Sequence, residues 1–307
     1  MVQTSSAADG SARLRRNRFL IIRNRTAGQA TNRIATHVAH ALRARHGTVE
    51  IAETGTPAEL AGLAEAAAGA DAVLVAGGDG SFRACARAFA GLGVPLGLIP
   101  AGTGNVLAQE IALPGTAEQL AETFTHGPVE RLSGGLANGA PFFLMAGAGF
   151  DADVVRRLSH GVKRYAGKAA YALPVLGALA RVPPEFEVRI DGHPYAARWL
   201  IVTRARHYGG RFVISPASSL FRPGLTALVF TGSTMRERLA ELLGLARGRL
   251  QDVPTVRSLP ARSVSISAPH SVPVQVDGDF LATGALDVSE GALPLDLIVP
   301  AGSAARI

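Results

Sequence analysis

Short apolar runs alternate with stretches of helical periodicity through the first 115 residues. Phe19–Ile22 predicts a buried strand, and after the loop Asn24-Arg25-Thr26-Ala27-Gly28 the positions Ile34, Val38, Ala41 and Leu42 recur at helical spacing. Val49–Ala52 predicts a second strand. Thr56-Pro57-Ala58-Glu59 then has the form of a helix start, with a capping Thr, Pro in the first turn and Glu three residues after the cap. A third strand at Ala72–Ala76 runs into Gly77-Gly78-Asp79-Gly80-Ser81, and a helix follows to about Gly91. A fourth strand at Leu96–Ile99 leads through Pro100-Ala101-Gly102-Thr103-Gly104-Asn105 into another helix. Alternation of this kind predicts a parallel sheet with helices on its faces.

Beyond about residue 130 the period changes. Asn138-Gly139 between apolar segments predicts a two-residue hairpin. Strand-like alternation or β-branched enrichment marks Glu185–Asp191, Tyr195–Arg206, Arg211–Ser215, Thr226–Thr231, Ser263–Ser267 and Val272–Val276. Helical segments interrupt them at about 151–181 and 234–248, and no amphipathic membrane anchor stands out. The expected architecture is therefore α/β plus β: a Rossmann-like N-terminal domain over 18–132 and an antiparallel β domain over 133–289. Residues 290–303, with the apolar Leu295–Val299, are expected to return to the first domain. Residues 1–17 read as a Ser/Ala-rich tail with basic residues.

Composition narrows the function classes. A chain of 307 residues has room for two domains, and its single cysteine, Cys85, excludes an internal disulfide framework or a multi-cysteine metal site. The apolar stretch Tyr171–Ala180 contains Pro174 and falls far short of the ~20 residues a bilayer requires. Arg15-Arg16 ahead of Phe19–Ile22 invites comparison with a twin-arginine signal. Arg23 ends that apolar run well below the roughly 7–15 residues such a signal needs, so a cytoplasmic protein is expected. Net charge is +7, which favours anionic partners, although an Arg-rich, Lys-poor composition gives the same sum for no functional reason. No basic run is interleaved with aromatics, so nucleic acid is not an expected partner.

Three loops rich in Gly, Asn, Ser and Thr end the first, third and fourth strands: 24–28, 77–81 and 100–105. Backbone N–H groups at such turns approach phosphate unobstructed, and the helix that follows presents free donors. In an open parallel sheet the loops lie side by side at the carboxyl ends of the strands, which makes a nucleotide site. Asp79 would repel phosphate unless Mg²⁺ intervenes or it handles a proton; its plainer reading is a helix cap. Thr54, at the end of the second strand, is either a nucleotide contact or a turn residue. Val274-Gln275-Val276-Asp277-Gly278-Asp279 places two carboxylates around a turn, which is either an ordinary Asp-Gly hairpin or a site for activating an alcohol and binding metal. Gly147-Ala148-Gly149-Phe150-Asp151 is either a domain contact or a capped helix start.

In this order the motifs resemble the diacylglycerol kinase catalytic family, which includes bacterial soluble lipid kinases, sphingosine kinases and ceramide kinases. The resemblance runs over about residues 18–300. Gly-Gly-Asp-Gly followed by Pro-Ala-Gly-Thr-Gly-Asn carries most of its specificity, since Gly-Gly-Asp-Gly alone is shared with NAD kinases and phosphofructokinases. It implies that Asn24, Gly28, Thr54, Gly78–Ser81 and Thr103 hold ATP, with Arg25, Thr26, Ala27, Gly77, Gly102 and Asn105 in the same loops. It implies Mg²⁺ or the acceptor hydroxyl at Asp79. Asp277 and Asp279 stand where the family has Asp-Gly-Glu, credited with the catalytic base, and Asp79 and Asp277 are the expected metal ligands. The implied fold is an ATP-binding domain joined to a β-sandwich, and the implied partner is a lipid at a membrane surface, met peripherally on the inner face. A dimer is compatible with the sequence, which does not fix the oligomeric state.

Three departures qualify the resemblance. Ala84 replaces a frequent Glu, Val106 replaces a frequent Asp, and Ser218-Ser219-Leu220-Phe221-Arg222-Pro223 occupies a segment where some relatives bind a structural Mg²⁺ through Asp. Two other functions stay open on the sequence: a soluble-acceptor kinase of the NAD kinase type, and a degenerate, non-catalytic sensor of nucleotide or lipid. Lys163, Arg164 and Lys168 are either headgroup contacts or a solvated helix face.

Overall fold

A computed structural model describes residues 15–25, 27–102, 104–159, 183–267, 271–291 and 295–303. Thr26, Thr103, Lys163, Arg164 and Lys168 lie outside the described residues, as do the first fourteen.

The central strands of the first sheet are apolar on both faces, whereas β2 and β5 at its edges are mixed. β1 (Arg18–Asn24) pairs in parallel with β2 (Thr48–Thr54) on one side and β3 (Ala72–Gly77) on the other. β4 (Leu96–Pro100) extends the sheet beside β3. Every residue of β3 is buried, as a strand covered on both faces requires. Helix α1 (Gln29–Arg43) and α6 (Ala117–His126) cover one face. The other carries α2 (Pro57–Ala61), α3 (Ala64–Gly69), α4 (Asp79–Ala88) and α5 (Val106–Glu110). The Thr56 side chain caps α2 by accepting from the Glu59 N–H, with Pro57 in the first turn, as the sequence predicts. The sheet closes with β5 (Val129–Leu132) and, from the far end of the chain, β20 (Leu295–Ile298), in the order β2-β1-β3-β4-β20-β5. β20 runs parallel to β4 and antiparallel to β5.

Between β5 and β20 the chain forms two antiparallel six-stranded sheets. One is β10-β9-β16-β19-β6-β7, made from β6 (Gly135–Ala137), β7 (Ala140–Phe142), β9 (Phe186–Ile190), β10 (His193–Ala197), β16 (Ser263–Ser267) and β19 (Leu286–Glu290). The other is β15-β14-β11-β8-β17-β18, made from β8 (Met145–Gly149), β11 (Trp199–Thr203), β14 (Leu225–Phe230), β15 (Val256–Ala261), β17 (Pro273–Val276) and β18 (Asp279–Thr283). Asn138 and Gly139, both at positive φ (47° and 76°), turn β6 into β7 as the hairpin signal predicts. The sheets enclose a sandwich core of residues such as Phe142, Val188, Leu200, Val229, Val274 and Val288.

Two expectations change in detail. The run Tyr195–Arg206 is not one strand: it breaks at Arg198, where the chain crosses from one sheet to the other and the Arg198 N–H donates to the Phe230 carbonyl at 2.8 Å. β10 is largely exposed and lies at a sheet edge, whereas β11 is buried throughout. The second reason is the double duty of β11: Leu200 and Val202 face the sandwich core, while Trp199 and Ile201 join a second core shared with β3, α4 and α5. Arg211–Ser215 shortens to β13 (Phe212–Val213), paired with β12 (His207–Tyr208) in a small ribbon. Two described helices complete the C-terminal half, α7 (Phe150–Ser159) and α8 (Met235–Arg247).

Candidate functional site

The strand order places the loops after β2, β1, β3 and β4 in a row at the carboxyl ends of the strands, with the switch point between β1 and β3. Asn24 and Thr54 are register partners at the ends of their strands, and Arg25 N–H donates to the Thr54 carbonyl at 2.8 Å, so the loops 24–28 and 54–56 touch. Ala27 N–H donates to the Asn24 carbonyl, and Gly28 caps α1 with open space where a side chain would stand. No side chain caps α1 and its first turn has no acidic residue, so its end presents amide donors to an anion. Arg25 pairs with Glu59.

The second and third loops are built against each other. Gly77 and Gly102 must be glycine for space. A methyl on Gly77 would meet Ser81 Cβ at 2.6 Å, and one on Gly102 would meet Gly78 Cα at 2.6 Å. Asn105, at φ 49°, locks the third loop by bonding both the N–H and the carbonyl of Gly102 (2.8 and 2.7 Å). Asp79 opens α4 but spends its carboxylate on the neighbouring helix: Val106 N–H and Leu107 N–H, the first amides of α5, donate to it at 2.9 and 3.0 Å. Burial raises its pKa, and those two donors oppose the rise.

The β17–β18 hairpin brings the two other carboxylates to this edge by different routes. Asp277 (φ 49°) and Gly278 (φ 80°) form its turn. The Asp277 side chain turns inward, where the backbone N–H groups of Phe143, Leu144 and Met145 donate to it at 3.1, 2.9 and 3.0 Å. Burial raises its pKa, with Arg83 and the three amides opposing. Asp279 faces out, with its side chain 49% exposed, and a methyl on Gly80 would sit 3.5 Å from its Oδ2. Arg83 of α4 ties the halves together, donating to Asp279 Oδ2 (2.5 Å) and to the Val276 carbonyl (2.7 Å).

Behind the hairpin lies a buried carboxyl with a support role. Gln275 donates to Asp151 Oδ2 at 2.9 Å and accepts from Gly278 N–H at 2.9 Å, linking the start of α7 to the turn. Burial pushes Asp151 up to about 7. A methyl on Gly147 would lie 2.6 Å from the same carboxyl oxygen. On the other side of the cleft Glu110 of α5 accepts from His207 N–H (2.6 Å), lies 2.7 Å from His207 Nδ1 and pairs with Arg206. Arg83, Gln275 and Glu110 were not legible as site residues. Arg83 lies one helical turn from Asp79, yet its partner lies 196 positions along the chain. The departures separate as well: Ala84 is exposed, whereas Val106 is buried in the shared core. At 218, the hydroxyl bonds those of Ser215 and Thr226.

Among the described residues no three His, Cys, Asp or Glu side chains cluster as an all-protein metal cage. Magnesium seldom needs one; one or two carboxylates plus substrate phosphates suffice. Asp79 fits that pattern, because two donors occupy only half of a carboxylate's acceptor capacity. Asp277 fits it less well, with three backbone donors and no outward face.

A parallel α/β sheet whose strand ends are faced by a β-sandwich hairpin defines a protein of the α/β-plus-sandwich class. Residues 18–137 match the diacylglycerol kinase catalytic domain, and residues 145–299 match the YegS C-terminal NAD kinase beta sandwich-like domain. A diacylglycerol kinase of Mycobacterium tuberculosis is 30% identical over 248 residues, covering 77% of this chain and 79% of that one. A Pseudomonas aeruginosa protein named as a YegS-like lipid kinase is 33% identical over 261 residues, covering 78% and 80%. The crystal structure of a diacylglycerol kinase from Bacillus anthracis strain Sterne shares the fold, with a TM-score of 0.68 at 21% identity over 92% of this chain and 97% of that chain. The chain belongs to the diacylglycerol kinase family of lipid kinases. Among its described residues no helix is long and apolar enough to cross a membrane.

Proposed function

We propose that the protein transfers the γ-phosphoryl group of Mg·ATP to a hydroxyl of diacylglycerol or a related lipid. The observation that carries this reading is the placement of Asp279 against Gly80, where an outward-facing carboxylate of one domain meets the glycine loop of the other. In this reading the amides of Gly28 and of the 77–81 loop hold phosphate, with Asn24, Thr54, Gly102 and Asn105 shaping the nucleotide site. Asp79 would hold the magnesium ion, which supplies charge neutralisation to the phosphates when bound. Asp279 is the base: the acceptor oxygen bonds to the γ-phosphorus, the bond from that phosphorus to the bridging oxygen of ADP breaks, and the hydroxyl proton passes to Asp279. Asp277 positions the hairpin. The names of the relatives support a lipid acceptor over a soluble one.

Labelled ATP and Mg²⁺ with mixed micelles of diacylglycerol, monoacylglycerol, ceramide, sphingosine or phosphatidylglycerol test the proposal. A labelled lipid product, lost by about 100-fold or more in Asp279→Asn, is expected. ATP binding with no product from any lipid would return the choice to a soluble acceptor or a sensor.

A further inference from the structure

Helix α8 carries a surface that the phosphoryl transfer does not use. Its start is fixed by a capping box: the Thr234 side chain accepts from the Glu237 N–H while the Glu237 carboxylate accepts from Ser233 and Thr234. One side of the helix is inward. Arg238 donates to the Ser233 carbonyl, Glu241 accepts from the Gly232 N–H, and Gly244 and Leu245 are buried.

The opposite side is apolar and open. Met235, Leu239 and Leu243 follow one another at one-turn spacing and are 45%, 44% and 48% exposed. Arg236 and Arg247 are exposed along the edge of this row, and Arg249 is exposed just beyond the helix. Neither acidic residue of the helix reaches that face, since Glu237 is spent on the cap and Glu241 is buried. A row of large apolar side chains bordered by cations alone is the pattern of a helix lying at a membrane interface.

The surface continues toward the cleft. A methyl on Gly248, the αL residue ending α8, would contact Val213 of β13, and Phe212 beside it is 40% exposed. At the turn of the same ribbon, a methyl on Gly210 would sit 3.3 Å from the Gly104 carbonyl of the third loop. We infer that α8 and Phe212 dock the protein on an anionic bilayer surface, with the apolar row entering the headgroup boundary and the arginines on acidic lipid. The charge points to this occupant: the charges bordering the apolar row on α8 are Arg236 and Arg247, with Arg249 and Asp252 exposed just beyond the helix, on a chain of net charge +7. The purpose of docking rests on the lipid-kinase reading; the docking itself does not.

The test is vesicle flotation at low salt without ATP or acceptor, comparing phosphatidylcholine vesicles with vesicles containing phosphatidylglycerol. The wild type is expected on the anionic vesicles only. Arg236→Ala with Arg247→Ala is expected to weaken binding about thirtyfold, and Leu239→Ser with Leu243→Ser to weaken it at least about tenfold. Circular dichroism and melting temperature check that these exposed substitutions leave the fold intact. Leu243→Trp supplies a second readout, a blue shift of its emission on anionic vesicles. Undiminished binding by both double variants, or no shift from Trp at 243, overturns the inference. A wild-type dimer that dissociates in the Leu239→Ser, Leu243→Ser variant would also overturn it, by giving the face to a second copy. Because no turnover is involved, an absent lipid product leaves this result standing, and absent vesicle binding leaves the kinase assay standing.

Discussion

Asp277 turns its carboxylate toward three backbone amides, whereas Asp279, two positions on, meets Arg83 at the cleft. Substitution should separate the two by different measurements. Asp277→Ala strands buried donors and should cost about 2–3 kcal/mol in urea unfolding. Asp279→Asn weakens one partly exposed ion pair and should change that stability by no more than about 1 kcal/mol, while lowering transfer about 100-fold or more. Asp151 gives a pH signature. Its pKa is raised from 3.8 to about 7, so the folded state binds the proton more tightly than the unfolded state. Stability therefore falls as pH rises between those values and flattens above about 7. Asp151→Asn should remove that slope from melting temperatures measured between pH 5 and 8. The Asp-Gly turn was legible at 277–278, but which aspartate points inward was not. That depends on the register of β17 against β8, a pairing across more than a hundred residues.

At the scale of elements, local chemistry was readable and long-range pairing was not. Thr56, the Asn138-Gly139 turn and the glycine loops announce themselves because their causes lie within a few residues. The Asp79 carboxylate caps α5 rather than its own helix, a role that the sequence around it does not contain. The exposed face of α8 escaped for a different reason. Leu242 and Leu245 are apolar as well as Leu239 and Leu243, so the sequence marks no single apolar side. Only the packing of Arg238 and Glu241 decides which side is inward. The capping box sets where this helix begins. Thr234→Ala should therefore lower stability by about 1 kcal/mol in thermal or urea unfolding.

Across the whole molecule one apolar core joins the halves, running from Phe82 and Val106 through Phe143 and Trp199 to Leu220. Glu110, with its side chain 2% exposed, clamps the same boundary through Arg206 and His207. Glu110→Ala should cost about 3 kcal/mol by leaving these partners without their carboxylate. It should also split a single calorimetric unfolding transition into two. The two-domain plan was legible from the change of period near residue 130; the shared core was not, because it needs β11 buried on both faces by different neighbours. The position of β20 has a consequence for synthesis. The ribosome makes β4 and β5 early, but the strand that belongs between them emerges only after the whole sandwich. Until it does, β5 has no partner strand in this sheet and one edge of β4 is open, both templates for pairing with other chains. A chain stopped before Leu295 would keep the whole sandwich and every proposed catalytic carboxylate, yet should appear in the aggregated fraction on expression. A separately supplied peptide spanning 295–303 should recover part of it in soluble form.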